Sequence, residues 1–129
     1  MMKATDIKTS RKLERLGLDT ATSDCYWESD NKRLTHKLRI GKAKDKHCTP
    51  AWTLAALLAV MPEIIKVGGE VYVQVMRKWY DTQSECESYE FTYEDVYGFI
   101  SNNAAYDNTD PTAAAAAMVA WLLSDGHIK

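Results

Sequence analysis

The sequence predicts an α+β fold: one antiparallel sheet of two hairpins, four to five strands in all, with two main helices packed on one face and a short helix at the N-terminus. Three observations predict it. Arg33–Ile40 and Val71–Tyr80 alternate with period two, the mark of β-strands. Thr49–Met61 and Asp110–Ser124 carry apolar stripes at helical spacing, each opened by a capping residue and a proline. The strand segments come in pairs joined by turn-type residues, with helices between the pairs. That order favours an antiparallel sheet with helices on one side.

Taken in order, the first helix spans Ser10 to Leu16, with Thr9 or Ser10 as cap, Leu13 and Leu16 on one face, and Gly17 as a left-handed stop. Asp24–Glu28 reads as a strand, and Ser29-Asp30-Asn31 as its turn. In the returning strand Leu34, His36, Leu38 and Ile40 point one way, and Arg33, Thr35, Lys37 and Arg39 the other, so a half-buried strand is expected. Gly41–Lys46 is a basic loop. Thr49 then caps the second helix with Pro50 at its first position, Leu54, Leu57, Leu58 and Met61 line its inner stripe, and Pro62 ends it. Val71–Tyr80 and Ser88–Tyr93 form the second hairpin, with Tyr89, Phe91 and Tyr93 sharing a face. Tyr97–Ile100 adds a short strand. The last helix runs from Asp110-Pro111 to about Ser124, with Ala114, Met118, Trp121 and Leu122 inside and Gly126 behind it.

All 129 residues are expected in a single domain. Hydrophobic residues at 46% and charged ones at 26% are ordinary for a globular protein, and a chain of this size needs no metal or disulfide to bury a core. Met1–Ser10 has no apolar core of a signal peptide, and no apolar run reaches membrane-helix length. Cys25, Cys48 and Cys86 are odd in number and unrelated in spacing, which predicts free thiols and a cytoplasmic setting. The net charge of −2 hides an asymmetry. Residues 1–78 carry 15 Lys/Arg against nine Asp/Glu, while residues 79–129 carry one basic residue, Lys129, against nine acids. Such a split can orient a partner or drive self-association; the plainer outcome is that the halves offset each other in one fold.

Each chemical motif has an ordinary reading beside the functional one. His47-Cys48 precedes the expected start of the second helix, where a helix dipole lowers a thiol pKa and an imidazole can act as base. Adjacent residues of an extended chain point apart, however, and no third group orients them. His36, His47 and His127 with the three cysteines lack the close spacing of zinc ligands, so no metal site and no cofactor are expected. Lys32, Arg33, Lys37, Arg39, Lys42, Lys44 and Lys46, beside Tyr26 and Trp27, resemble a single-strand nucleic-acid platform, or else a solvated strand with a protective basic edge. The overall pI of about 5.9 speaks for the latter. Glu85, Glu87, Glu90, Glu94 and Asp95 can supply an acid/base pair, but exposed acids are common in such loops. Trp27, Trp52, Trp79 and Trp121 fall in four elements, which suggests core packing rather than a ligand cage.

Three stretches taken together, Leu16–Asp19 with Thr22–Trp27, Thr49–Leu58 with Met61-Pro62, and Asp110–Thr112 with Met118–Leu123, resemble small uncharacterised proteins of phages, prophages and mobile elements of gut Bacteroides-type bacteria. The resemblance implies a bacterial cytoplasmic setting and transfers no site residues. The leading expectation is a non-enzymatic accessory protein whose partner is another protein, without membrane contact and with self-association open to it. Single-stranded nucleic-acid binding through the basic strand is the alternative, and a small enzyme using His47 and Cys48 the third reading.

Overall fold

A computed structural model of the chain describes residues 3–30, 35–45, 47–98 and 100–128. Helix α1 (Ile7–Arg15) and a 3₁₀ turn (Thr20–Thr22) lead into strands β1 (Cys25–Asp30), β2 (Thr35–Ile40) and β3 (Cys48–Ala51). Helix α2 (Leu54–Val60) follows, then β4 (Ile64–Val67), β5 (Glu70–Asp81), β6 (Cys86–Glu94), β7 (Ile100–Asn108) and helix α3 (Pro111–Ser124). The fold is α+β with three helices, as expected, but its strands form two antiparallel sheets and not one: β2-β1-β3 and β4-β5-β6-β7. The reason lies at β1. Its free edge is taken by β3, so the first hairpin closes locally and never reaches the second.

The second helix departs most from expectation. Thr49 and Pro50 are strand residues of β3, with Pro50 opposite Tyr26. β3 is an edge strand, where a missing N–H costs little. The helix begins at Leu54 under Thr53, whose hydroxyl accepts from the Ala56 N–H at 3.3 Å. Asp24 fixes that start. Its carboxylate takes the Thr53 N–H at 3.0 Å and the Thr53 hydroxyl as well. Burial pushes the Asp24 pKa up, but these Thr53 bonds outweigh it and hold the group below the ordinary carboxylate value.

Helix α1 also starts earlier than its sequence suggested. Asp6 caps it by accepting from the Thr9 N–H at 2.7 Å, while Ser10 is buried and bonded to Thr5. Gly17, at φ 99°, does form the left-handed stop: Leu18 N–H reaches Leu13 O and Gly17 N–H reaches Glu14 O. The Tyr97–Ile100 strand is displaced. Asp95 takes the Tyr97 N–H at 2.9 Å in a turn with Gly98 at φ 84°, Phe99 lies outside the described residues, and Ile100 is the first residue of β7.

The core gathers around α3. Asp110 caps it, Pro111 fills the first turn, and Gly126 ends it with Gly126 N–H to Leu123 O and His127 N–H to Leu122 O. Thr112, Ala114, Ala115, Ala116, Met118, Val119, Ala120 and Leu122 are all buried. A helix buried on nearly every side must have neighbours on nearly every side. They are β6 and β7 along one flank, and α2 and α1 along the others. The small alanines let these neighbours approach closely. Met118, Val119 and Leu122 alone stand for roughly 1.5–3 kcal/mol each in transfer terms. Phe91 and Tyr93 of β6 join this cluster, and the Tyr93 hydroxyl donates to Pro62 O at 2.6 Å.

Candidate interaction surface

Strand pairing sorts the four-stranded sheet into two faces. Tyr72, Gln74 and Met76 of β5 share a face with Tyr93 and Phe91 of β6, and Ile65, Phe91 and Tyr93 belong to the core. The other face carries Ile64, Val71, Val73, Val75, Arg77 and Trp79, with Glu90, Thr92 and Glu94 beside them. Ile64, Val71, Val73 and Trp79 are 43–49% exposed there. Strand β5 is therefore apolar on both sides, and one apolar side meets no described layer.

In the middle of this open face lies one compact polar cluster. The Arg77 guanidinium grips both oxygens of Glu94, at 2.7 Å through Nη2 and more closely through Nη1, and reaches Glu90 at 3.5 Å. The Thr92 hydroxyl also bonds Glu94. The two arginine bonds hold the Glu94 carboxyl down at about 2, against the opposing effect of burial, and raise the Arg77 pKa in turn. Thr92 and Glu94 are buried. A cluster so satisfied offers little unbalanced charge to a substrate and does not compete with the valines around it.

The residues singled out in sequence are scattered. Cys48 lies in β3 and not at a helix terminus, because the helix begins five residues later than Thr49. His47 precedes it with its N–H on Asp45 at 2.8 Å. His47 lies in the turn just before the strand, and Cys48 is the first strand residue. Cys48 opens on a surface hollow of about 500 Å³ that Arg11, Glu14, Thr20 and Asp45 also line. His36 is exposed on β2, and His127 bonds Asp125 at 2.8 Å and lies against Trp121. Among the described residues no three His, Cys, Asp or Glu side chains gather as metal ligands. Nor is any described helix long and apolar enough to cross a membrane.

The basic strand is divided too. Lys32, Arg33 and Lys46 lie outside the described residues. Lys37 and Arg39 are exposed, but Lys37 stands opposite Glu28 and Arg39 approaches that carboxylate at 3.6 Å. Lys42 turns away to bond the carbonyls of Ala21 and Ser23, leaving Lys44 in the exposed loop. Leu34 also lies outside the described residues, and among the described residues of this strand the expected half-burial is absent: Ile40 is 81% exposed, and only Leu38 is partly covered. With β3 as the neighbour on the far side of β1, β2 is an outer edge that nothing described packs upon.

Sequence reasoning singled out Glu90 and Glu94 only as members of an acidic stretch, and missed Arg77 as their partner and the outward exposure of the valines. The signal was present in Val71–Met76, where both alternating sets are apolar or uncharged. A strand with two greasy sides needs two layers, and the helices supply one. Trp79, expected in the core, is half exposed on the same face. Compared with family models, with curated proteins and with solved structures, the chain matches none.

Proposed function

We propose that this chain is a non-enzymatic accessory protein, of the kind phages and mobile elements carry, that acts by binding another protein through the open face of its four-stranded sheet. The observation that carries this reading is the row of Ile64, Val71, Val73 and Trp79, each exposed by more than two-fifths around a charge-balanced Arg77–Glu94 pair. Protein interfaces place apolar and aromatic side chains at the centre of the contact and deplete unpaired charge there. Arginine held flat by two carboxylates also suits such a surface.

The test compares the native chain with a Val71→Glu/Val73→Glu variant as immobilised bait in lysate of a gut Bacteroides-type host. Both positions are exposed, so the variant should keep the native thermal midpoint within a few degrees. A protein retained by the native chain and lost by the variant is the expected result. Equal capture by the two, or capture by neither, overturns the reading.

A further inference from the structure

We infer that two copies of this chain pair through the outer edge of β5, antiparallel about a twofold axis at Trp79, joining their four-stranded sheets. The inference goes beyond the reading above, since it concerns an edge and not a face.

β5 is twelve residues long, but β4 covers only its first part. The last contact on that side is the Gln74 N–H on Glu63 O at 2.9 Å. In an antiparallel ladder, backbone groups alternate between the two sides of a strand. Gln74 points toward β4, so Met76, Lys78 and Tyr80 point the same way, each with an N–H and a C=O. Among the described residues no backbone group meets them. Natural edges are usually blunted by proline, a bulge or a projecting lysine. This one has no proline or described bulge, and its two cations are drawn inward. Lys78 pairs with Glu87 at 3.3 Å and lies 5.7 Å from the Tyr89 ring centre, both on β6. Arg77 is drawn to Glu94 and Glu90, also on β6. What remains along the edge is Met76 at 57%, Trp79 at 48% and Tyr80 at 58% exposure.

The edge is complementary to itself in one register. With the axis at Trp79, Lys78 exchanges both backbone bonds with the partner's Tyr80, and Tyr80 does so with the partner's Lys78. Trp79 then faces the partner's Trp79 at a non-hydrogen-bonded position, where side chains come closest. Arg77, still two-fifths exposed at its side chain, faces the partner's Asp81. The partner's hairpin turn clears β4, because the partner's Asp81 stops three residues short of Gln74. An axis at Lys78 instead sets two lysines opposite each other and drives that turn into Glu63. Any other strand would need its own matching charges. A second copy brings them automatically.

Sedimentation of the full chain up to about 100 μM should give twice the 14.6 kDa of one chain. Lys78→Pro removes an outward N–H without touching the β5–β6 ladder, and Trp79→Glu places two like charges on the axis. Either should return the monomer, and Trp79→Glu keeps the test decisive if the proline variant misfolds. In a Cys48→Ser/Cys86→Ser background, Trp79→Cys should form a disulfide-linked dimer under mild oxidation far faster than Val71→Cys, since facing positions of this type lie within disulfide reach. Val73→Glu should leave the dimer intact while abolishing the protein contact proposed above, which separates the two ideas. A native monomer at every concentration, a dimer that survives Trp79→Glu, cross-linking no faster at 79 than at 71, or a dimer lost with Val73→Glu would each overturn the pairing.

Discussion

The two sheets answer the same problem differently. The three-stranded sheet leaves β2 outside, and protects it with charge and polarity: Thr35, His36, Lys37 and Arg39 are exposed, with Glu28 facing the two cations. The four-stranded sheet leaves its far face outside, and there the polar groups neutralise one another while the valines, Ile64 and Trp79 meet water. A strand edge rimmed by charge and an apolar sheet face open to water thus sit in one molecule. The two differ in how charge is disposed around the exposed residues.

The comparison can be broken at its foundations. Trp52 is fully buried, its indole N–H donates to the Thr22 hydroxyl at 2.9 Å, and its backbone bonds Thr5. It ties the three-stranded sheet to the core, and Trp52→Ala should cost about 3–5 kcal/mol, read from urea unfolding. Equal destabilisation by an exposed change such as Lys37→Ala would show that this sheet is not held there. The four-stranded sheet is best probed by acid. Glu94 has its pKa depressed to about 2, so its contribution is fully present above the ordinary carboxylate value of 4.5 and disappears as the pH falls toward 2. Stability followed over that window should drop in the native chain and much less in Glu94→Gln. Parallel curves for the two would remove the Arg77–Glu94 pair as a determinant.

A smaller effect sharpens the boundary between the sheets. Thr53→Ala deletes the cap of α2 and one ligand of Asp24, and should cost about 0.5–2 kcal/mol. An unchanged midpoint would mean that the extended Thr49–Ala51 segment is set by pairing with β1 alone. The smallest change belongs to β2. Lys37→Glu with Arg39→Glu should move stability by no more than about 0.5 kcal/mol. The same pair decides the nucleic-acid alternative: fluorescence anisotropy with a single-stranded oligonucleotide should show no binding for the variant to lose. Tight binding abolished by the two substitutions would move the functional surface to β2.

Where the signal was local, the fold was legible in the sequence. α3 carries its own cap, its own proline and its own glycine stop, and the β5–β6 hairpin alternates over many residues; both form where expected. Thr49-Pro50 has the same local credentials for starting a helix and does not. Asp24, 29 positions away, binds Thr53 and moves the start, and β1 draws the proline into a strand. β3 and β4, at four residues each, are too short for periodicity to register. The open face was hidden for a different reason. The apolar alternation of β5 was visible, but which face of the sheet α3 would pack on, through β6 and β7, depended on how those strands pair. The Arg77–Glu94 contact spans 17 positions and two strands, beyond any local pattern.

The central place of α3 has a consequence for biosynthesis. The helix that fills the middle of the core occupies residues 111–124, after all the described strands. Until the ribosome releases it, Phe91 and Tyr93 of β6 lack the helix that packs beside that strand in the folded chain. A chain cut before Pro111 should therefore show no cooperative unfolding transition, because it lacks the helix around which the core gathers.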